Sequence, residues 1–325
     1  MSYNQAGMGR MGQDRREGPR AMVALMAALL SLACGMMPAL SATIGIAMPP
    51  PAAATRTLLE GIAEQAKAHD VAVAYAHAPD GAGAQQVAQV RQLIAVKVDA
   101  LLITPVETSV RPTLTRLARE ADIPLVFLDD GPPDPWPLGR IASVRPHDLV
   151  AGRLQMRKLA QMLNGTGRLA LIAGNPAHAG AALRMQGIKD VLAGFAGLRL
   201  VAEDAADGDR GKARTLVAGW LAGNIGIDAI ATANDAMALG AADAVEAAGI
   251  PPGRILIGGV DASADGLTAM QRKRLAVTVY QDAALQGRRA VDIALAMMRH
   301  EPVRLIDWMP VELITDRMST THFAK

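Results

Sequence analysis

Short apolar runs and helical stretches alternate along the chain from position 43 to position 314. An apolar run of about four to eight residues between turn-forming residues indicates a buried strand, whereas apolar residues that recur every three or four positions indicate an amphipathic helix. The short runs predict strands at 43–47, 71–75, 100–104, 124–128, 139–144, 168–173, 198–203, 229–233, 255–259, 276–280 and 311–314. The helical spacing predicts helices at 55–69, 84–96, 110–121, 148–163, 181–195, 212–222, 236–248, 266–272 and 283–298. Strands that alternate with helices of this length form right-handed β–α–β units with parallel sheets, so the predicted fold class is α/β.

The number of these units predicts two lobes rather than one sheet. The alternation pauses near Arg145 and Pro146 and then repeats. A chain of 325 residues also has the length of about two domains. We therefore expect two Rossmann-like lobes, each built on a parallel sheet.

Polar side chains follow three of the predicted strands, at the point where each strand ends. Asp129 and Asp130 follow one strand, Asn234 follows a second, and Asp261 follows a third. Open α/β sheets bind their ligands outside the carboxyl ends of the strands. These residues are therefore the first candidates for a binding site.

The first 42 residues differ from the rest of the chain. Residues 1–20 are polar and contain several arginines, residues 21–37 are continuously apolar or small, and residues 38–42 are Pro-Ala-Leu-Ser-Ala. A basic N-terminal region, an apolar central region and small residues at a cleavage site indicate a secretory signal peptide. Cleavage near Ala42 would leave a mature chain that starts at about Thr43, in the periplasm.

Other interpretations of the N-terminal segment stay open. The apolar stretch approaches the length that spans a membrane, so an uncleaved anchor is one alternative. Lipid modification of Cys34 is disfavoured because the preceding Ser31-Leu32-Ala33 lacks the leucine-first spacing of a lipoprotein signal. Twin-arginine export through Arg15-Arg16 is disfavoured by the Glu-Gly-Pro that follows.

Composition excludes several classes of function. The net charge is only +2, and lysines and arginines do not cluster with aromatic residues, so nothing favours nucleic acid. The single cysteine excludes an intrachain disulfide and a cysteine-based zinc site. The segment Gly208-Asp-Arg-Gly-Lys212 lacks the first glycine of a phosphate loop, because Ala206 stands there. The six histidines show no close metal spacing. We therefore expect no catalytic residue, no cofactor and no metal ion.

Three segments of the chain resemble the periplasmic sugar-binding proteins of ABC importers, of the ribose-binding type. They are Ala-Asn-Asp-Ala-Met-Ala-Leu-Gly at 233–240, Ile-Gly-Gly-Val-Asp at 257–261 and Leu-Ala-Val-Thr-Val-Tyr-Gln at 275–281. The similarity extends from about position 43 to the C-terminus, and the first segment is its most specific part. The resemblance implies a type I periplasmic binding protein, in which three crossover strands form a hinge and the two lobes close over a ligand.

The resemblance also implies how the chain divides. After the signal peptide at 1–42, residues 43–146 and about 282–310 are expected to form the N-terminal lobe. Residues 147–281 and about 311–325 are expected to form the C-terminal lobe.

Four ligand contacts are implied by the positions that match the family. They are Asp129, Asn234, Asp261 and Gln281. Carboxylates accept hydrogen bonds from hydroxyl groups, while Asn and Gln both donate and accept, so this set suits a carbohydrate or polyol. Arg184 matches a second arginine of the family pattern and is a further candidate.

Departures from the family pattern leave the identity of the ligand open. Asp130 stands where the family has an arginine, Ala182 where it has another, and Gly208 where it has a stacking phenylalanine. The loop at 49–56 contains no aromatic residue. Both aromatic walls of a pyranose site are therefore missing. A smaller, less flat or cationic ligand is one reading, given Asp129 next to Asp130. Three residues could replace the stacking rings: Trp136, Tyr280 and Met48.

Each candidate also has a structural interpretation. Asn234 could cap the helix that follows it, and Asp261 could be an ordinary turn residue. Gln281 could be an exposed polar residue of the hinge, and Arg184 could pair with Asp190. Trp136 could anchor its proline-rich loop or form a contact with a permease.

The sequence therefore predicts an exported solute-binding protein that works as a monomer and delivers a carbohydrate-like ligand to a membrane permease. The alternative is a sensory protein of the same fold that presents its ligand to a membrane receptor. A transcriptional regulator shares the lobes but needs an N-terminal helix-turn-helix, and here a signal peptide is predicted instead.

Overall fold

A computed structural model describes residues 42–51, 53–131, 140–176 and 178–315 of the chain. The strands are β1 Thr43–Met48, β2 Ala72–His77, β3 Ala100–Ile103, β4 Leu125–Leu128, β5 Ile141–Pro146, β6 Thr166–Ala173, β7 Gly197–Ala205, β8 Ala229–Thr232, β9 Leu256–Gly258, β10 Thr278–Gln281, β11 Ile306–Met309 and β12 Val311–Ile314. The helices are α1 Ala53–Ala68, α2 Gly83–Ala95, α3 Arg111–Glu120, α4 Asp148–Met162, α5 Ala179–Leu192, α6 Arg210–Ala222, α7 Asp235–Ala247, α8 Ala264–Gln271 and α9 Ala283–Met298, with a 3₁₀ turn at Thr108–Val110.

The strands form two parallel sheets and a short antiparallel ribbon. The first sheet has the order β11-β5-β4-β3-β1-β2, and the second has the order β7-β6-β8-β9. Strand β10 pairs antiparallel with β12 and touches the second sheet through two isolated parallel bridges. The first lobe is the part built on the first sheet, and the second lobe is the part built on the second. The predicted α/β class with two lobes is confirmed.

The chain passes between the lobes at three places. The first lies between β5 and α4, the second between β10 and α9, and the third between β11 and β12. The second passage consists of a single residue, Asp282, whose carboxylate accepts a hydrogen bond from the backbone amide of Leu285 and so caps α9. The ends of the elements next to these passages are therefore the parts of each lobe closest to the hinge.

Strand β11 was not predicted from the sequence. It pairs in parallel with β5 at the edge of the first sheet. As an edge strand, β11 is paired on one side only. Asp307 and Met309 on its inner face are buried, while Trp308 on the other face is 42% exposed. A four-residue segment with a charged residue facing inward offers no apolar run to detect. Strand β5 also begins and ends two residues later than predicted.

The central strands of the first sheet, β1, β3, β4 and β5, are buried on both faces, which explains their continuous apolar runs. On one face, Ile44 and Ile46 of β1 pack in a cluster with residues of α1 and α9. On the other face, Ala47 of β1 and Phe127 of β4 pack in a cluster with residues of α2 and α3. The second lobe has one large core around β6, β8 and β9. Alternate residues along a strand thus enter different cores, as the pleat requires.

Buried glutamines join the carboxyl ends of neighbouring strands. Gln155 of α4 donates from Nε2 to the carbonyl oxygens of Thr232 (2.9 Å) and Gly259 (2.7 Å), at the ends of β8 and β9. Carbonyl groups at these ends lie beyond the sheet ladder and need another donor when they are buried. Gln86 of α2 and Gln286 of α9 make comparable bonds in the first lobe.

Close helix packing through glycines sets the spacing of α4 and α5. A Cβ on Gly152 would lie 2.0 Å from the carbonyl oxygen of Arg184, and one on Gly187 would lie 2.2 Å from that of Leu149. Neither backbone can move without separating the two helices. The same arrangement joins α1 to α9, through Gly61 and Gly287.

The predicted signal peptide lies outside the described residues, except for Ala42, and stays a prediction. Within the described ranges, the helices are too short or too polar for any of them to cross a bilayer.

We expect Gly187→Ala to lower the free energy of unfolding by about 1–3 kcal/mol, because the new methyl group would overpack the contact between α4 and α5. Gly219→Ala is the matched control, since Gly219 lies in α6 with no atom within 4 Å of its Cβ position. That control should be neutral or stabilise the protein by up to about 1 kcal/mol. Urea denaturation measures both variants, and equal effects would contradict the packing argument.

Candidate functional site

A cavity of roughly 460 Å³ lies between the two lobes. Its wall is formed largely by residues that follow strands of the first sheet and by the start of α5. Five carboxylates contribute to this wall: Asp80, Asp129, Asp130, Asp148 and Asp261. Parallel sheets place such residues at a common edge, so the position agrees with the general location of ligand sites in α/β folds.

The structure brings five of the seven candidate residues together. Asp129, Asp130, Arg184, Asp261 and Gln281 all line the cavity. Of the other two, Asn234 does not belong to the cavity wall, and Trp136 lies outside the described residues.

Asp129 contributes a carboxylate from the end of β4. Its backbone has a φ of 63°, in the left-handed region that Asp adopts more readily than most residues. Gln286 of α9 donates from Nε2 to its Oδ1 (2.7 Å) and to the carbonyl oxygen of Val144 (3.0 Å). Burial raises the pKa of Asp129, although the hydrogen bond from Gln286 acts in the opposite direction. The carboxylate is thus held in place by a neutral amide.

Asp130 is neutralised within its own lobe. Arg111 of α3 donates from Nη1 to its Oδ1 (3.0 Å), and the backbone amide of Gly131 donates to the same oxygen (2.8 Å). Its backbone carbonyl accepts a hydrogen bond from the hydroxyl group of Ser143. The acid that replaces the family's arginine therefore has a local cationic partner.

Arg184 is the centre of a buried polar network in the second lobe. Its Nε donates to Asp148 Oδ1 (2.7 Å), and its Nη2 donates to Gln281 Oε1 (2.9 Å). Its Nη1 donates to the carbonyl oxygen of Ala233 (2.8 Å) and lies 3.4 Å from Asp261 Oδ1. Burial opposes the charge on the guanidinium, but the carboxylates of Asp148 and Asp261 raise the pKa of Arg184. Much of its hydrogen-bonding capacity is therefore used inside the protein.

The pairing of Arg184 with Asp190, considered from the sequence, does not occur. Asp190 instead accepts two hydrogen bonds from Arg153, at 2.6 and 3.2 Å. Both ion pairs join α4 to α5, but the one with Asp190 is about one-third exposed, whereas Asp148 is 2% exposed.

Asp261 lies in a strained turn after β9. Its φ is 117° and that of Ala262 is 48°, both in the left-handed half of backbone space. Such strain persists only where surrounding contacts hold the backbone, and it is frequent at ligand sites. Burial raises the pKa of Asp261 to about 6, while Arg184 acts to lower it.

Asp235 is 1% exposed and forms hydrogen bonds with the residues that follow this turn. Its Oδ2 accepts from the backbone amide (2.8 Å) and the hydroxyl group (3.0 Å) of Ser263, and its Oδ1 lies 2.6 Å from the hydroxyl of Thr278. Burial, together with the neighbouring carboxylate of Asp261, raises the pKa of Asp235 to about 7. Asp235 therefore ties the turn of Asp261 to α7.

Asn234 is the N-cap of α7. Its Oδ1 accepts from the backbone amide of Met237 (2.9 Å), and its Nδ2 donates to the carbonyl oxygen of Gly208 (3.3 Å). This is the capping role that asparagine commonly fills. Its contact with a ligand stays a prediction.

A contact between the lobes closes one side of the cavity. His178, at the start of α5 in the second lobe, lies 3.3 Å from Asp80, which follows β2 in the first lobe. The hydrogen bond to Asp80 is the largest factor that raises the pKa of His178, while burial acts to lower it. Neither residue was a candidate from the sequence, because nothing in either segment indicates that the two lobes meet there.

Asp148 and Gln286 were also missed as site residues. Each is a polar residue within the buried face of its helix. A polar residue at a core position was the available signal, since buried polar groups need partners.

Among the described residues, the cavity wall contains no Phe, Tyr or Trp. Neither Tyr280 nor Met48 belongs to it, so neither replaces the missing stacking rings there. Prolines and small residues fill these positions instead, among them Pro49, Pro79 and Pro105. The site can offer carboxylate and amide oxygens to hydroxyl groups, without a flat apolar wall for a sugar ring.

Comparison with protein families gives a match to the model described as "Periplasmic binding protein domain", over residues 44–302. A relative from Rhizobium meliloti, whose name assigns it to rhizopine binding, is 36% identical over 235 residues, covering 71% of this chain and 76% of the relative. A xylitol-binding protein of Mycolicibacterium smegmatis is 29% identical over 247 residues, covering 75% of this chain and 69% of the relative.

Among solved structures, the chain is similar to an ABC transporter solute-binding protein of Bacillus halodurans with bound myo-inositol. The TM-score is 0.82 at 29% identity, covering 87% of this chain and 98% of the other. These relatives are binding proteins, and the predicted family is confirmed.

We expect Arg184→Met to lower the free energy of unfolding by about 3–5 kcal/mol, because it would leave the carboxylate of Asp148 buried without its cation. Arg153→Met is the matched control, since it removes an exposed ion pair between the same two helices and should cost no more than about 1 kcal/mol. Chemical denaturation at pH 7 measures both. Similar losses would mean that the buried network has no special role.

We expect the stability of the protein to fall as the pH rises from about 4 to about 7. Asp235 has a folded pKa of about 7 against an ordinary value of 3.8, so in this range the folded state holds a proton that the unfolded state has released. One such proton contributes a slope of at most about 1.4 kcal/mol per pH unit, which ends above pH 7.

Asp235→Asn should reduce this slope, since the amide keeps the shape of the protonated acid and can donate to Thr278. The measurement is the free energy of unfolding at pH 5, 6, 7 and 8 for both proteins. An unchanged slope in the variant would show that Asp235 does not carry the effect.

Proposed function

Because the chain belongs to the periplasmic binding protein family, we propose that it captures a small polyhydroxylated ligand, a polyol or sugar, between its lobes and delivers it to an ABC permease. The observation that carries this proposal is the cavity between the lobes, where Asp129 of one lobe and Asp261 of the other offer carboxylates to the same space. Carboxylate oxygens accept hydrogen bonds from ligand hydroxyl groups. Gln281 and Arg184 complete the polar side of the site.

The described wall of this cavity suits a ligand that binds through its hydroxyl groups better than one that stacks a ring face on an aromatic side chain. The wall lacks aromatic side chains in its described part, so it offers no stacking surface. One relative is named for xylitol, an open-chain polyol, and a similar structure holds myo-inositol, a cyclic one. The ligand class that we assign is therefore that of polyols and of sugars held through their hydroxyl groups.

Binding would act through closure of the two lobes around the hinge. We assign residues 43–146 and about 282–310 to the N-terminal lobe, and 147–281 and about 311–325 to the C-terminal lobe. A ligand that touches both lobes has more contacts in the closed form and so shifts the population towards it. The pair of His178 and Asp80 supports the same form, because it joins the lobes directly.

The proposed cellular role follows from the family and the N-terminus. Residues 1–42 would direct export, and the mature protein would work as a periplasmic monomer without enzymatic activity or a cofactor. The permease would recognise the closed, loaded form.

A thermal-shift screen against sugars and polyols, including xylitol, myo-inositol and ribose, tests the proposal. A ligand present at about 100 times its Kd should stabilise the protein by about 2.7 kcal/mol. For the strongest hit, we expect Asp261→Asn to weaken binding about tenfold or more, since a hydrogen bond to a charged group contributes about 1.5–3 kcal/mol.

Asp265→Asn is the matched control, because Asp265 is exposed at the start of α8 and does not line the cavity. It removes the same charge and should leave the affinity unchanged. If no sugar or polyol stabilises the protein, or if both variants bind as well as the parent, the proposed function is wrong.

A further inference from the structure

The cavity has more acidic than basic groups. Five carboxylates line it, and the basic side chains on its wall are Arg184 and His178. Arg111 adds one more positive charge from behind the wall. Even with His178 protonated, the described residues leave an excess of two negative charges around the cavity.

The excess can be located by following the ion pairs. Asp130 is paired with Arg111, and Asp80 with His178. Asp148 and Asp261 share the single charge of Arg184. These three pairings use the basic groups at the cavity.

Asp129 is the carboxylate that this distribution leaves without a counter-ion. Among the described residues its side chain has no ion pair, and the hydrogen bond recorded for it comes from the neutral amide of Gln286. Burial disfavours the charged form and raises the pKa of Asp129, while the charges of Arg184 and His178, which are paired with other acids, act to lower it. An unpaired carboxylate in such a place is costly unless it gains a cation or a proton.

A polyol would satisfy the hydrogen bonds of Asp129 but would not neutralise its charge. Hydroxyl groups donate hydrogen bonds without carrying a charge, so with a neutral ligand the carboxylate would have to take up a proton when the lobes close. A protonated amine would supply three donors and the missing positive charge together. A bound metal ion is the less suitable cation, because the described residues contain no group of three His, Cys, Asp or Glu side chains placed to hold one.

We propose that the ligand is a polyol or sugar that carries a protonated amino group, and that Asp129 is the counter-ion of that group. This inference rests on the proposed function, since it concerns the same cavity and narrows its ligand class. Hydroxyl groups of the ligand would then meet Asp261 and Gln281 on the opposite lobe, so that the charged and neutral ends of the ligand select its orientation.

Matched pairs of probes that differ only by an amino group in place of a hydroxyl group test the inference. Suitable pairs are sorbitol and glucamine, glucose and glucosamine, and myo-inositol and an inosamine. Isothermal titration at pH 7 measures each Kd, and repetition in two buffers of different ionisation enthalpy counts the protons taken up. We expect the amino member of at least one pair to bind about tenfold or more tightly than its partner, because only the ammonium group removes the cost of leaving the buried charge of Asp129 without a counter-ion.

Asp129→Asn tests the role of the carboxylate and preserves its shape. The variant should lose most of the preference for the amino member, measured as the ratio of the two Kd values. Asp265→Asn removes an equal charge outside the cavity and should keep the ratio. A ratio that persists in Asp129→Asn would overturn the assignment of Asp129 as the counter-ion.

The outcomes separate this inference from the proposed function. If a neutral member binds with uptake of about one proton, and its amino partner binds no more tightly, the inference is wrong while the proposed function stands. If no member of any pair binds, both are wrong. Tighter binding of an amino member without proton uptake supports both.

Discussion

The guanidinium group of Arg184 is the contact on which the geometry of the second lobe depends. It joins Asp148 at the start of α4, Ala233 after β8, Asp261 after β9 and Gln281 at the end of β10. These points are separated along the chain and converge on one donor, and direct bonds between them support the same arrangement, such as that from Gln281 Nε2 to Asp148 Oδ1 (3.2 Å). A buried ion pair contributes little net stability, but removing one partner is costly. The network is therefore a constraint on arrangement more than a source of stability.

That constraint extends to the hinge. Asp148 follows the first passage between the lobes, and Gln281 precedes the second. On the other side of the second passage, Gln286 binds Asp129 and the carbonyl of Val144 in the first lobe. Only four residues along the chain, 282–285, thus separate a glutamine tied to one lobe from a glutamine tied to the other. A rotation about Asp282 would move the two sets of carboxylates relative to each other while each set keeps its internal bonds.

Much of the fold could be predicted from the sequence because the central strands of its sheets are buried on both faces. Such strands are continuous apolar runs, and each is followed by a helix of regular spacing. The strand that was missed is β11, an edge strand with Asp307 facing inward and Trp308 facing out. Its position depends on pairing with β5, which is distant in the chain and leaves no local pattern.

The candidate site could be predicted only in part. Asp129 and Asp261 were found because they follow strands, and chain topology alone brings strand ends together. Gln281 was found through the family resemblance. Partners across the fold were not predictable in this way. The pairing of Arg184 with Asp148 spans two helices, and that of His178 with Asp80 spans both lobes. These contacts depend on how the lobes pack, for which the sequence contains no periodic signal.

The difference between the position of a residue in the sequence and its partners in the fold also explains the charge of the cavity. An arginine in a ligand site can either face the ligand or neutralise the acids around it, and its sequence position does not show which. Here Arg184 and Arg111 are both engaged with acids of the protein, at 2.7 Å and 3.0 Å. Asp129 remains, held at the end of β4 by a neutral amide. Because every other acid on the described wall has a basic partner or a share of one, the charge of the ligand is constrained mainly at this residue.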